Sequence, residues 1–87
     1  MDPVGKTPRD PREDHRIIAA LSERMADKME KNRHKAHWNT VSQAWLFSRL
    51  EEELTELEQA LMLGGDVESE CADVANFAAM IADNWRK

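Results

Sequence analysis

Eighty-seven residues with a formal net charge of −5 allow one small domain at most, and a core of that size is marginal alone, so oligomerisation is expected. The acidic balance argues against a nucleic-acid backbone as the main partner, and no apolar run approaches the ~20 residues of a membrane span. The polar, proline-broken N-terminus does not read as a signal peptide, and the single Cys71 can form no internal disulfide, so a reducing cytoplasm is expected.

Residues 1–14 hold all three prolines and many charges but almost nothing apolar. They read as an unfolded tail, leaving 15–87 as one domain. A first helix is predicted from about Glu13 to about Lys31, with Ile18, Leu21, Met25 and Met29 as its apolar stripe. Asp27, Lys28, Glu30 and Lys31 are read as facing solvent. Asn32-Arg33-His34-Lys35 interrupts the pattern and reads as a connection, in which His34 and His37 are surface groups.

A second helix is predicted from Thr40, where Thr40-x-x-Gln43 fits a capping box, to Leu63, where Gly64-Gly65 stops it. At 100° per residue Leu46, Leu50, Leu54, Leu57 and Leu61 fall within an arc of ~80°. Glu53 sits at the edge of that stripe, and Glu56 a little further round. A third helix is predicted from the N-cap Asp66 to about Trp85, with Val67, Val74, Phe77, Met80 and Ile81 as its apolar face. Glu70 and Asp73 lie inside that arc. An amphipathic helix normally keeps carboxylates off its buried face, because an unpaired buried charge costs several kcal/mol. Something positive should therefore meet them. There is no β signal and no internal repeat, so the fold class is all-α, about three helices per chain, with a four-helix core completed by dimerisation.

Two acidic motifs carry the chemistry. Glu52-Glu53-Leu54-Thr55-Glu56 is an E-E-x-x-E, and Glu70-Cys71-Ala72-Asp73 is an E-x-x-D. Carboxylates three apart share a helix face. Two such pairs across a helix break make a cage of hard oxygen ligands, suited to Mg²⁺ with Mn²⁺ as a substitute. Neither motif has a His at the spacing of a carboxylate-bridged di-iron site, and a zinc site lacks its Cys and His.

These motifs resemble the all-α nucleoside triphosphate pyrophosphatase superfamily, most of all its MazG-like branch and the short single-domain members carried by phages and mobile elements. The resemblance covers about Trp38 to Trp85. It implies cleavage of a (d)NTP to the monophosphate and pyrophosphate, in nucleotide-pool cleaning or adjustment. Carried onto this chain, it implies Glu53, Glu56, Glu70 and Asp73 as Mg²⁺ ligands. Glu52 would help position the attacking water, with Glu53 also catalytic. Larger members continue into further helices, so a neighbouring subunit is expected to complete the nucleotide pocket.

Lys28, Lys31, Arg33 and Lys35 cluster before the second helix, either as a solvated face or as cationic help for the β- and γ-phosphates. Asn76, Arg49, Lys35, Lys31 and Trp38 are the candidate substrate contacts, with Trp38, Trp45 and Trp85 as base-stacking rings or as core or interface anchors. Two other functions fit the same residues: a non-catalytic helical oligomerisation module, and a metal or nucleotide sensor without turnover. Metal binding separates the module from the rest, and turnover separates the enzyme from the sensor.

Overall fold

The computed structural model describes residues 7–86 and is all-helical over them: α1 (Pro11–Lys31), a single 3₁₀ turn (Trp38–Thr40), α2 (Gln43–Leu63) and α3 (Val67–Trp85). No helix among these residues is long and apolar enough to cross a membrane.

Each helix end has a local cause. Asp10 caps α1, its carboxylate accepting from the Arg12 amide at 2.9 Å, and Pro11 takes the first position, where its missing N–H is no loss. The helix thus starts two residues earlier than Glu13, and residues 11–14 belong to it instead of to an unfolded tail. The remainder of that predicted tail, residues 1–6, lies outside the described residues.

The Thr40 capping box does not form. Thr40 closes the 3₁₀ turn instead, its hydroxyl donating to the His37 carbonyl at 2.7 Å. Ser42 is the cap of α2 and accepts from the Trp45 amide at 3.0 Å. Gln43 is then free to reach across to α3, donating to the Ile81 carbonyl at 3.1 Å. At the other end Gly64 takes φ +80°, a conformation that strains any residue with a Cβ, and its amide closes on the Ala60 carbonyl at 2.9 Å. Asp66 caps α3 through the Ser69 amide, as its position predicts.

The short Gly64–Asp66 turn folds α2 and α3 into a hairpin, and α1 lies against α3 as well. Helix α3 is thus the shared partner of the other two. The core is thin: among the described residues the buried apolar ones are Leu46, Ala60 and Ala72, and α1 contributes none. The radius of gyration is 15.1 Å, against about 12 Å for a compact chain of this length.

Helix α2 is rotated relative to its leucine arc. Its buried positions are Leu46, Glu53 and Ala60, a line spaced by seven residues that includes a carboxylate. Leu50 and Leu57 flank this line half-buried, while Leu54 and Leu61 turn outward at 48% and 65% exposure. With Phe47 at 55% they form an apolar flank along α2. One apolar arc is wider than α3 alone covers.

Candidate functional site

The rotation of α2 brings Glu53 onto α3 opposite the E-x-x-D motif. One carboxylate oxygen from each of Glu53, Glu70 and Asp73 falls within 4.8 Å of the others. Glu53 is only 6% exposed, and Glu70 and Asp73 are half-buried. Three partly desolvated carboxylates at that spacing repel one another.

The electrostatics record that repulsion. Glu53 is pushed up from an ordinary 4.5 to about 7. Burial is the largest cause, followed by the hydrogen bond with Glu56 and the negative charges of Glu56 and Asp73. Arg49 pulls in the opposite direction. One oxygen of Glu70, Oε2, is buried without a hydrogen-bond partner. So is Oδ1 of Asn76, a residue 5% exposed whose Nδ2 donates to the Met25 carbonyl of α1 at 3.1 Å. Crowded carboxylates, a buried acceptor left over and a shortage of positive charge fit a hard divalent cation, which takes oxygen ligands and removes the repulsion.

Four residues were expected to make the cage, and the structure gathers three of them. Glu56 is exposed and lies beside Glu53, hydrogen-bonded to it, but outside the three-way cluster. Its position on α2 explains this: it sits further round the helix than the line facing α3. Glu52 is also exposed, held by Arg49 at 2.7 Å, and stands apart from the cluster.

The cluster borders a cleft of about 890 Å³ between the C-terminal half of α1, the connecting segment, the start of α2 and the face of α3. Glu53, Asp73 and Asn76 line it, and so do Arg49, Lys35 and Trp38 from the predicted substrate set. Lys31 does not line it and is exposed at the end of α1.

Arg49 is placed by three neighbours: Glu52, Glu53 at 3.7 Å, and the Phe77 ring 5.1 Å beneath its guanidinium. Trp38 is anchored by its indole N–H donating to Asp83 at 2.9 Å, by Asn84 donating to its carbonyl at 2.9 Å, and by a tilted contact with His37 at 4.2 Å. His37 also caps the 3₁₀ turn, its Nδ1 accepting from the Asn39 amide. These contacts fix the connecting segment against the end of α3. A planar group entering the cleft would meet an already oriented ring.

The residue that sequence reasoning misplaced is Lys28. It does not face water: its Nζ lies 2.9 Å from Asp73 Oδ2, with the two side chains 28% and 21% exposed. A signal was present. Lys28 is seven residues after Leu21 and three after Met25, in phase with the apolar stripe of α1. Arg24 bridges to Asp66 and Glu68 at 3.2 and 3.3 Å, so two cations of α1 reach the acids of the turn and α3.

Residues 31–50 contain no Asp or Glu, although the chain as a whole is acidic. This segment supplies Arg33, Lys35 and Arg49 to the cleft. The site therefore combines an acidic corner on α2 and α3 with cationic and aromatic residues from the connecting segment and the start of α2.

Comparisons with protein-family models, with curated proteins and with solved structures give no match to this chain. The case for function rests on the site itself.

Proposed function

We propose that the chain is a Mg²⁺-dependent nucleoside triphosphate pyrophosphohydrolase of the MazG-like kind, releasing a (d)NMP and pyrophosphate. The observation that carries this reading is the approach of Glu53, Glu70 and Asp73 to within 4.8 Å at the edge of a cleft with a cationic wall. A lone carboxylate cluster would repel a triphosphate, and a lone basic wall would hold it without activating it. Their combination suits a polyanion that arrives with a divalent cation.

Bound at the cluster, Mg²⁺ supplies Lewis-acid polarisation of the α-phosphoryl group and an acidified water. The protein supplies position and charge, which is most of what phosphoryl transfer requires. Arg33, Lys35 and Arg49 offset the charge of the β- and γ-phosphates. Trp38, Trp45, Phe77 and Met80 give the base and sugar an apolar surface. The proton that the attacking water loses passes to a carboxylate oxygen outside the metal's coordination or to solvent. Water oxygen then bonds to the α-phosphorus, and the bridge to the β-phosphorus leaves with the pyrophosphate. Glu52 acts one step removed, holding Arg49 in place.

Incubation with each dNTP and NTP in Mg²⁺, followed by separation of products, tests the reading. Monophosphate and pyrophosphate are expected. Orthophosphate and a diphosphate would place the cut at the wrong bond. No turnover with Mg²⁺ or Mn²⁺ would leave a sensor or an interaction module.

Self-association belongs to the same proposal. The support is the exposed flank of Phe47, Leu54 and Leu61, together with the thin core. Pairing of two α2–α3 hairpins would bury that flank in a four-helix core. The protein should sediment as a dimer or tetramer at micromolar concentration. The double change Leu54→Glu with Leu61→Glu should give a monomer that keeps most of its helix. A monomeric unaltered protein would rule the assembly out.

A further inference from the structure

We propose that Lys28 is a resident cation of the carboxylate cluster, displaced from Asp73 when a divalent metal binds and thereby released to the phosphates. This rests on the reading of Glu53, Glu70 and Asp73 as a cation site. It adds an order of events: the metal enters before the triphosphate.

Three carboxylates meet in the cluster and Glu56 adds a fourth nearby. Arg49 is 3.7 Å from Glu53 but sits closer, at 2.7 Å, to Glu52. Lys28 makes the short contact with the cluster itself, at 2.9 Å to Asp73 Oδ2, and comes from a different helix.

The neutralisation it gives is partial. Glu70 Oε2 stays buried without a partner, and the adjoining cleft wall holds the unpartnered Oδ1 of Asn76, nine-tenths buried or more. Here the Lys28 ammonium meets one carboxylate, whereas a divalent ion draws several oxygens around itself. The two cations cannot share Asp73 without repelling each other at short range. The ammonium is the one free to leave, because it rides on a flexible four-carbon stem. Lys28 itself lines the cleft, so the freed ammonium stays at its wall. The cleft then gains a positive charge only once the metal is in place.

The sign of one measurement separates this from a purely structural strut. Calorimetric titration of the full chain with Mg²⁺ alone, at pH 8, compares the unaltered protein with Lys28→Met and Lys28→Arg. Loss of a competing cation should tighten Mg²⁺ binding by about tenfold in Lys28→Met. Lys28→Arg keeps the competitor and should stay within about twofold of the unaltered protein. A strut would give the opposite sign, since loosening α1 from α3 disturbs Asp73 and weakens binding.

A second readout needs no variant. Acetylation of Lys28 by a small anhydride, followed by mass spectrometry, should speed up at least about threefold when Mg²⁺ is added. Unchanged acetylation in a protein that binds Mg²⁺, or Lys28→Met binding no more tightly, would overturn the displacement while the cation site stands. Absence of Mg²⁺ binding in every form would overturn both.

Discussion

Asp73→Asn should reduce nucleotide turnover by at least about a hundredfold while leaving the helical content unchanged. Asp73 is where the interactions of the site meet. Its carboxylate belongs to the three-way cluster, receives Lys28 at 2.9 Å, and is one of the charges that push Glu53 upward. Asn keeps the shape and one oxygen acceptor, so Lys28 retains a hydrogen bond. The anionic charge is what disappears. Relief of repulsion at Glu53 offsets part of the lost ion pair, so the melting temperature should change little. Glu70→Gln should behave in the same way. Turnover of the unaltered magnitude in Asp73→Asn would remove this residue from the site. The assay is steady-state release of pyrophosphate, with circular dichroism as the fold control.

The second large effect is on stability. Glu53 titrates near 7 in the folded chain against an ordinary 4.5. Below about 4.5 it is protonated in both the folded and unfolded states and contributes nothing. Between about 4.5 and about 7 the unfolded chain gives up the proton and the folded chain keeps it. The contribution of Glu53 to folding stability therefore falls as pH rises through this window, by at most about 1.4 kcal/mol per pH unit. Above about 7 the full penalty remains, roughly 3 kcal/mol. Glu53→Gln carries no such charge. At pH 8, without metal, it should melt at least about 10 °C above the unaltered protein, and the gap should close near pH 4.5. Millimolar Mg²⁺ at pH 8 should narrow the same gap from the other side, because it binds the folded cluster only. A pH scan of thermal melts, with and without Mg²⁺, checks both. A Glu53→Gln advantage that does not grow from pH 5 to 8 in the metal-free protein would contradict the burial and crowding of Glu53.

The sequence told the helices and the acidic motifs apart cleanly. Apolar residues at spacings of three and four marked all three helices. Asp66 and Gly64 placed the hairpin turn because each does one physical job there: a side-chain acceptor for free amides, and a backbone that tolerates positive φ. The anomaly of Glu70 and Asp73 on an apolar face pointed to the site.

What could not be read was rotation. A leucine arc states that a helix has an apolar side, but not which part of it meets the neighbour. The turn of α2 towards Leu46, Glu53 and Ala60 is set by how the helices pack, and that is a tertiary property. The same rotation buries Glu53 and leaves Glu56 and Glu52 outside the cluster. Two acids three residues apart on one face thus end in different environments. Lys28 was misplaced for a related reason. Charge suggests solvent, but periodicity puts it on the packed side of α1, and the periodicity was the better guide. The Thr40 cap failed because Ser42 offers the same chemistry two residues on, and local capping rules do not choose between neighbouring hydroxyls.

The most direct test is a crystal structure of the protein grown in millimolar Mn²⁺, with data collected to reveal the anomalous signal of the metal. The account predicts a peak coordinated by carboxylate oxygens of Glu53, Glu70 and Asp73, with the Lys28 ammonium no longer on Asp73. A peak bound elsewhere, or a cluster still closed by Lys28 with no metal in it, would contradict it.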